Sequence, residues 1–473
     1  MTSSILLMSP LDAKTMPKGN ATKQRLEGQE PCRSSNICSH IVSAQRAVAR
    51  FTQFGDEMEH VNALPVTIAD IEAARERLRN VLRPTPTRFA DAISRAIGRP
   101  VAIKPEHLQR AGSFKIRGAY NRIVQLPPGV AVVAASAGNH AQGVALAAAL
   151  TGRQATIFMP DTVSLPKLQA SEDYGATVIF GGPVLDDCLG MARAFAAETG
   201  AVFVPPFDDP DVVAGQGTLG LEIVDEIAHL SGCNWPTDIA PVVLIPIGGG
   251  GLVAGAAIAL RARRPDISII GVEAEGAASM RRSLEAGSIV TLDGVSTMAD
   301  GIALRAPGRI PFEVVTALVD DVVTVSEDAI STAVLLLLER AKAVVEPSGA
   351  VGLAALMEYP TLAIGHPAVV VLSGGNVDPL LLSNIAIHGM SAAGRYVRLR
   401  IVFNDRPGSL AALTASLARQ SLNVLDVEHH RIGLTLGVNE VEVLVTVETR
   451  RPAQRDEVIQ QLVDEGFRVE LVR

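Results

Sequence analysis

The sequence is poor in the residues that build disulfide frameworks, zinc sites and nucleic-acid surfaces. Of its 473 residues only four are cysteine, Cys32, Cys38, Cys188 and Cys233, and no two of them form a CxxC pair. This scatter indicates free thiols in a reducing cytoplasm and predicts no metal site. Aromatic residues make up 4% and the net charge is −8, so we expect no nucleic-acid partner.

The sequence also lacks an apolar run suited to crossing a membrane. Residues 239–260 carry no charge, but Pro241 and Pro246 interrupt them and Gly248–Gly251 form an unbroken glycine run. A spanning helix needs continuous backbone hydrogen bonding, which such a run would weaken. We therefore predict a buried strand, a glycine loop and a helix, and no membrane partner.

Residues 1–65 lack the apolar periodicity of the rest of the chain and carry scattered Ser, Lys, Arg and Gln. A segment that buries little apolar surface does not fold alone. We interpret these residues as a disordered N-terminal extension, or as the result of a start codon placed too early. No compact apolar core with a cleavage site is visible, so no targeting peptide is expected and the predicted location is cytoplasmic.

Residues 66–393 alternate short apolar runs with longer helical stretches. Thr67 is placed to cap a helix that begins at Ile68, and the alanine-rich residues 140–150 have a helical pattern. The predicted buried strands are Val130–Ala135, Ala155–Met159, Thr177–Phe180, Val242–Ile247, Ile267–Val272 and Val369–Leu372. Buried strands that alternate with helices predict an α/β fold with a parallel sheet covered on both faces.

Residues 394–473 have a different pattern. Apolar residues alternate with others in two segments, at Val397, Leu399, Ile401 and Phe403 and again at Val441, Val443, Val445 and Val447. Leucine and valine at helical spacing follow each segment, and residues 467–472 close the chain. The order β-α-β-β-α-β predicts a separate ferredoxin-like α+β module.

Lysine is rare after the first 65 residues, where only Lys104, Lys115, Lys167 and Lys342 occur. Lys115 stands in Gly-Ser-Phe-Lys-Ile-Arg-Gly-Ala, where glycine and serine predict a turn that opens a helix. The cationic field of a helix N-terminus lowers the pKa of a lysine, which Schiff-base chemistry requires. Taken alone, however, a single lysine is more often a solvated surface charge.

Two further loops follow predicted strands and open predicted helices. Ser136-Ala137-Gly138-Asn139-His140 offers backbone N–H groups to a carboxylate, although an ordinary strand-to-helix turn would have the same pattern. Gly248-Gly249-Gly250-Gly251 can wrap a phosphate closely, and a tight packing loop is the alternative. The motifs Glu-Pro-Ser-Gly-Ala from Glu346 and Leu-Ser-Gly-Gly-Asn around Ser373 are weaker, but Ser373 would lie at the carboxyl end of a strand, where α/β sheets bind ligands.

In this order, the five motifs resemble those of the threonine dehydratases, over roughly residues 66–388. The resemblance implies a tryptophan-synthase-β-like, fold-type II catalytic domain (residues 66–393) in two lobes that binds pyridoxal 5′-phosphate. Residues 394–473, with Asp405-Arg406-Pro407-Gly408, resemble an ACT domain, a regulatory fold that commonly binds amino acids. The family further implies deamination of L-threonine to 2-oxobutanoate and ammonia, L-serine as a side substrate, and a place at the first step of isoleucine synthesis.

The resemblance also implies roles for individual residues. Lys115 would hold the cofactor covalently and move the α-proton of the substrate, and Phe114 would pack beside the cofactor ring. Asn139 would donate a hydrogen bond to the 3′-oxygen of the ring, and Ser373 would face the ring nitrogen. The phosphate would lie on Gly248, Gly249, Gly250 and Gly251, and the substrate carboxylate on the backbone of Ser136, Ala137, Gly138, Asn139 and His140. Glu346 would lie near the ring.

Three positions bear on which reaction of the family this chain is expected to catalyse. Serine racemases of the family have a second serine where this chain has Ala137, so reprotonation from the opposite face lacks its usual donor. Those racemases also bind a divalent cation through acidic residues that follow a Gly-Val-Glu motif. This chain has the glutamate of that motif, Glu273, but Ser279 occupies the position where an aspartate is expected. The hydroxyl of Ser373 would hold the ring nitrogen less charged than an aspartate would, which favours prompt loss of a β-hydroxyl over a long-lived carbanion.

Other functions stay open at this point. One is a serine dehydratase, a racemase or a β-replacement enzyme such as a cysteine synthase, and another is an amino-acid sensor without catalysis, which the intact Lys115 argues against. By analogy with the family, isoleucine and valine are the expected regulators, and a homo-oligomer, most often a tetramer, is the expected assembly.

Overall fold

The computed structural model describes residues 64–230, 234–392, 394–431 and 436–472. Nearly all of the proposed N-terminal extension lies outside these residues, as do Cys32, Cys38 and Cys233. Cys188 is described and is a buried free thiol.

Among the described residues, regular structure follows the predicted alternation closely. The helices are α1 Ile68–Leu78, α2 Asp91–Ile97, α3 Lys115–Val124, α4 Asn139–Leu150, α5 Leu165–Glu172, α6 Leu185–Thr199, α7 Pro210–Ile227, α8 Gly251–Arg263, α9 Ser279–Ala286, α10 Arg309–Leu318, α11 Glu327–Leu336, α12 Pro347–Glu358, α13 Pro379–Ala392, α14 Ser409–Arg419 and α15 Pro452–Asp464. The strands are β1 Arg88–Phe89, β2 Val101–Lys104, β3 Val132–Ala135, β4 Ala155–Met159, β5 Thr177–Phe180, β6 Val202–Phe203, β7 Val242–Pro246, β8 Ser268–Ala274, β9 Asp321–Val325, β10 Ala368–Val371, β11 Tyr396–Asn404, β12 Asn423–His430, β13 Glu440–Glu448 and β14 Arg468–Val472.

The first helix of the described chain begins where the sequence predicts. The Thr67 hydroxyl accepts a hydrogen bond from the Asp70 backbone N–H, and the Asp70 carboxylate accepts one from the Thr67 backbone N–H. This reciprocal pair satisfies two N–H groups that the helix leaves free, and it fixes the start of α1.

The small lobe is a parallel sheet in the order β5-β4-β3-β6. Strands β3 and β4 are apolar on both faces because helices cover both: Val132 and Ala134 pack into one buried cluster, and Val133 and Ala135 into another. The prediction of a strand at Thr177–Phe180 is confirmed, but the prediction that this strand is buried is wrong. Strand β5 lies at the edge of the sheet, and Phe180 is 51% exposed.

The large lobe is a sheet in the order β1-β2-β10-β7-β8-β9, parallel except for the short strand β1. Its alternate residues face two buried clusters: Val243 and Ile245 pack against α7 and α8, and Val242 and Leu244 against α11 and α12. The carboxyl ends of β7 and β10 therefore lie side by side, and the loops that follow them can meet at one edge.

The C-terminal module is an antiparallel sheet in the order β12-β13-β11-β14 with α14 and α15 on one face. The alternating valines of β13 bury one face against Leu413 and Leu417 of α14 and Val458 and Leu462 of α15. The predicted β-α-β-β-α-β order of a ferredoxin-like α+β fold is confirmed.

The uncharged stretch near residue 250 forms the predicted strand, glycine loop and helix, as β7, residues 247–250 and α8. Within the described ranges, no helix has the length and apolar character needed to cross a membrane.

Candidate active site between the two lobes

All the side chains and loops predicted to carry chemistry line one cavity of about 190 Å³ between the lobes. The small lobe contributes the loop after β3, and the large lobe contributes the loops after β7 and β10, so the carboxyl ends of both parallel sheets face each other. The lining includes Phe114, Lys115, Ser136, Ala137, Gly138, Asn139, His140, Gly248, Gly249, Gly250, Gly251, Glu346 and Ser373. Sequence reasoning missed other lining residues: Pro206, Phe207, Lys167, Leu185, Asp300, Ile302, Leu304 and Ser348.

Lys115 is the first residue of helix α3, as the Gly-Ser turn before it predicts. Its Nζ donates to the carbonyl oxygen of Pro206 at 2.9 Å and lies 5.2 Å from the centre of the Phe114 ring. Burial lowers the pKa of Lys115 to about 8, although the nearby Glu346 carboxylate opposes the change. At pH 7 roughly a tenth of such an amine is neutral, against well under a thousandth of an ordinary lysine. The amine is therefore prepared for nucleophilic attack on a carbonyl.

Ser373 lies next to this lysine because the two segments are joined by their backbones. The Phe114 backbone N–H donates to the Ser373 carbonyl oxygen at 3.1 Å, and Ser113 forms an isolated bridge with Gly374. The Ser373 side chain is buried and lines the cavity. The start of α3 and the end of β10 therefore hold an amine and a neutral hydroxyl in one site.

The glycine run between β7 and α8 is needed for packing as well as for an open backbone. Gly250 has a φ of 91°, which disfavours other residues, and a Cβ there would lie 2.7 Å from Pro311. A Cβ on Gly249 would lie 2.3 Å from the Phe207 ring. The same backbone opens helix α8, whose N-terminus favours an anion. Close packing is therefore confirmed at this loop, and phosphate binding stays a prediction.

Asn139 is held by two side chains from the large lobe. Its Nδ2 donates to Glu346 Oε1 at 2.7 Å, and its Oδ1 accepts from Asn376 Nδ2 at 2.8 Å. These partners fix the orientation of the amide and leave one of its two N–H bonds available to a ligand in the cavity. Burial raises the pKa of Glu346 to about 7, and the negative charge of Asp300 adds to the change. Asn376 is the last residue of the Leu-Ser-Gly-Gly-Asn motif. The motif is visible in the sequence, but Asn376 itself was not predicted to be a site residue.

His140 is a buried ring that contacts the main chain. Its Nε2 lies 2.9 Å from the carbonyl oxygen of Val204, and burial together with the charge of Lys115 lowers its pKa to about 3. The ring therefore anchors the loop, whose residues 136–140 all line the cavity. Ala137 lines the cavity with a methyl group, so this position brings no hydroxyl.

Glu273 accepts hydrogen bonds at the start of a helix. Its two carboxylate oxygens accept from the backbone N–H groups of Met280 and Arg281, each at 2.8 Å, which caps helix α9. Burial raises the pKa of Glu273 to about 7. Where the structure describes the chain, no group of three or more His, Cys, Asp or Glu side chains is arranged to hold a metal ion.

The cavity fits pyridoxal phosphate on several independent grounds. It holds a buried amine of lowered pKa, a helix N-terminus with bare backbone for the phosphate, and an amide N–H with a free direction. It also contains the buried Ser348 Oγ, which has no hydrogen-bond partner among the described residues. A buried hydroxyl without a partner is costly, and a polar ligand would satisfy it.

Comparisons with known proteins agree with this chemistry. A family model described as "pyridoxal-phosphate dependent enzyme" matches residues 78–374. The chain is 42% identical over 413 residues to the L-threonine ammonia-lyase of Geobacter sulfurreducens, covering 87% of this chain and all of that protein. It is 38% identical over 327 residues to the catabolic L-threonine dehydratase of Escherichia coli K12, covering 68% of this chain and 96% of that protein.

Solved structures give the same result for the fold. A crystal structure of a threonine deaminase from T.th. matches with a TM-score of 0.62 at 40% identity, covering 66% of this chain and 99% of that chain. A maize serine racemase matches with a TM-score of 0.63 at 34% identity, covering 69% of this chain and 98% of that chain. The fold-type II fold is thereby confirmed, and the chain belongs to the family of pyridoxal-phosphate-dependent enzymes.

Proposed function

We propose that this enzyme is a threonine ammonia-lyase, which converts L-threonine to 2-oxobutanoate and ammonia and L-serine more slowly to pyruvate. The observation that carries the proposal is the position of Lys115, a buried amine with a pKa of about 8 in one cavity with the glycine run and the loop at residues 136–140. The relatives named for threonine deamination at 38–42% identity support the substrate.

Each group in the cavity then has a task. When bound, pyridoxal phosphate supplies an electron sink for cleavage at the α-carbon of an amino acid. Lys115 would hold the cofactor and take up the α-proton, and the N–H groups of Gly248–Gly251 would bind the phosphate. Asn139, oriented by Glu346 and Asn376, would offer its remaining N–H to the ring oxygen. The backbone of residues 136–140 would bind the substrate carboxylate.

Ser373 and Ala137 favour elimination over the other reactions of the family. Ser373 offers a neutral hydroxyl, which does not supply the negative charge needed to keep a ring nitrogen protonated. Ala137 supplies no hydroxyl for a second proton transfer. The similarity to a serine racemase structure keeps racemisation as the second candidate function.

Product analysis separates these candidates. The purified protein, loaded with pyridoxal phosphate, is expected to form 2-oxobutanoate from L-threonine faster than pyruvate from L-serine, with no D-serine above background. Chiral chromatography of the serine reaction measures the last point. D-serine formed at a rate similar to pyruvate would establish a racemase, and cysteine formed from an activated serine and sulfide without 2-oxo acid would establish a β-replacement enzyme.

The regulation and setting of the enzyme are part of the same proposal. We infer that residues 394–473 act as a regulatory domain that binds isoleucine, opposed by valine, on an enzyme that is oligomeric, cytoplasmic and placed in isoleucine synthesis. The ferredoxin-like sheet order of this module supports the inference. The family model matches the 297 residues from 78 to 374. The relative that matches 87% of this chain aligns over 413 residues, so its similarity extends beyond that catalytic region.

An isoleucine titration tests this inference. We expect the rate of 2-oxobutanoate formation to fall with added isoleucine and to recover when valine is added. The same titration on a chain ending at residue 393 is the comparison. Identical curves for the two chains would reject regulation through the C-terminal module.

A further inference from the structure

We propose that two ion pairs across the mouth of the cavity hold the lobes at their working distance, which makes Lys167, Asp186, Asp300 and Arg305 positioning residues for the substrate. We call these four residues the interlobe clasp. The inference rests on the proposed function for its substrate, but the contacts that carry it are independent of which amino acid is bound.

The first pair joins α5 of the small lobe to a turn of the large lobe. Lys167 Nζ contacts Asp300 Oδ2, and Asp300 begins the short 3₁₀ turn Asp300–Ile302. Both side chains line the cavity. The Lys167 side chain is 19% exposed and that of Asp300 49% exposed, so the pair lies at the boundary between the cavity and solvent.

The second pair lies beside the first and joins the same two lobes. Arg305 Nη1 of the large lobe lies 3.6 Å from Asp186 Oδ2, near the start of α6 in the small lobe. The residue before each member, Leu304 and Leu185, lines the cavity. The segment at residues 300–305 therefore contacts both helices of the small lobe that border the opening.

This segment is held by hydrogen bonds within its own loop and by packing against the large-lobe core, so the pairs are not contacts of a loose loop. The Leu292 backbone N–H donates to the Arg305 carbonyl oxygen at 2.8 Å, and Arg305 Nε donates to the Leu292 carbonyl oxygen at 2.8 Å. Ile302 packs into the core beneath the large sheet, and a Cβ on Gly248 would lie 2.9 Å from Ile302 Cα. The large-lobe end of the clasp therefore rests against the glycine run.

The small-lobe end of the clasp is connected to the proposed carboxylate site. Helix α5 packs on α4, whose first turn contains Asn139 and His140, and α6 packs on β3, which ends at Ala135. The clasp therefore sets the distance between the loop at residues 136–140 and the glycine run. Because the pairs are partly exposed, each contributes modestly to the stability of the fold. Their loss is expected to change substrate binding and solvent access more than folding.

The test compares Lys167→Met, Asp300→Asn and the double variant by threonine kinetics and by iodide quenching of the fluorescence of the bound cofactor. We expect each single change to raise KM about two- to fivefold, with a smaller change in kcat. Iodide quenching should rise in both single variants. Because the two residues act through one contact, the double variant should be no worse than either single variant.

Glu72 and Arg263 provide a control, since they form an ion pair within the large lobe and outside the cavity lining; their side chains are 47% and 51% exposed, so this pair is more exposed than Lys167–Asp300. Glu72→Gln with Arg263→Met should leave both KM and quenching unchanged. The clasp is wrong if quenching does not rise, or if the two single effects multiply in the double variant, because each residue would then act on the substrate separately. If quenching rises as expected but wild-type enzyme forms no 2-oxobutanoate, the clasp stands and the proposed substrate is wrong.

Discussion

Replacing Lys115 with alanine or arginine is expected to reduce turnover to below about one-thousandth of the wild-type rate, because both changes remove the amine that holds the cofactor and moves the α-proton. Arginine keeps the positive charge, but it stays protonated and cannot form an imine. Initial rates of 2-oxobutanoate formation measure the effect. Borohydride reduction of the loaded wild-type enzyme, followed by peptide mass analysis, should find the cofactor on the peptide that contains Lys115.

The chain offers a control for the same chemical change. Lys342 is exposed, and its Nζ donates to the Glu339 carbonyl oxygen at 2.7 Å outside the cavity. Lys342→Arg should therefore keep full activity and cofactor attachment. Near-normal turnover in Lys115→Arg, or cofactor recovered on a peptide without Lys115, would contradict the assignment.

The pH dependence of Lys115 protonation follows from the same burial. Because burial lowers the pKa of Lys115 to about 8, its amine is mostly neutral above pH 8, whereas an ordinary lysine stays charged to a higher pH. Between the pKa of Lys115 in the folded chain and its higher pKa in the unfolded chain, the folded chain binds fewer protons at this residue than the unfolded chain does. Without cofactor, the contribution of this lysine to stability is therefore least favourable below pH 8 and improves as the pH rises toward the unfolded value.

The sequence predicted the central strands well because burial on both faces leaves a continuous apolar run. Strand β4 has the predicted bounds, and β3, β7, β8 and β10 differ by one or two residues; the exposed edge strand β5 also has the predicted bounds. Strand β2 was not predicted, because it ends at Lys104, a residue usually found on surfaces. In the structure Lys104 is fully buried, since Glu222 and Glu226 neutralise it at 2.7 and 2.8 Å.

The cavity was predicted in part, and the reason lies in how its residues are distributed. Lys115 and the glycine run each belong to a short continuous motif, so their neighbours in the sequence indicate the same function. Pro206, Phe207 and Asp300 come from loops far apart in the chain, and their contribution depends on how the lobes meet. No local pattern of residues records that arrangement, so only the folded chain identifies them.

Arg117 gives the second large expected effect, because it lies two residues after Lys115 in a buried ionic network. Its side chain is fully buried and makes paired hydrogen bonds at 2.7–2.8 Å to the carboxylates of Glu106 and Glu222. Arg117→Met would leave the buried Glu106 without its cation. We expect it to lower the free energy of unfolding by about 3–5 kcal/mol, as measured by urea denaturation.

Two comparisons decide whether the network, and not the loss of any arginine, causes this effect. Arg122 lies on the same helix, but its pairs with Asp209 and Asp211 are 3.2 Å long and partly exposed. Arg122→Met should therefore cost no more than about 1 kcal/mol. Adding Glu106→Gln to Arg117→Met should restore part of the lost stability, because it removes the unpaired charge. Equal losses in the two arginine variants would contradict a special role for the network.

Acid titration of stability gives an independent test of the same contacts. Burial alone would raise the pKa of Glu222, but Arg117 and Lys104 hold it at about 2. A carboxyl whose pKa is lower in the folded than in the unfolded chain stabilises the fold above its unfolded value and loses that effect as the pH falls toward 2. Wild-type stability should therefore decline between about pH 5 and 2, and this decline should be shallower in Arg117→Met. Because Arg117 is on the first turns of α3, cofactor attachment at Lys115 should weaken in parallel with the loss of the network.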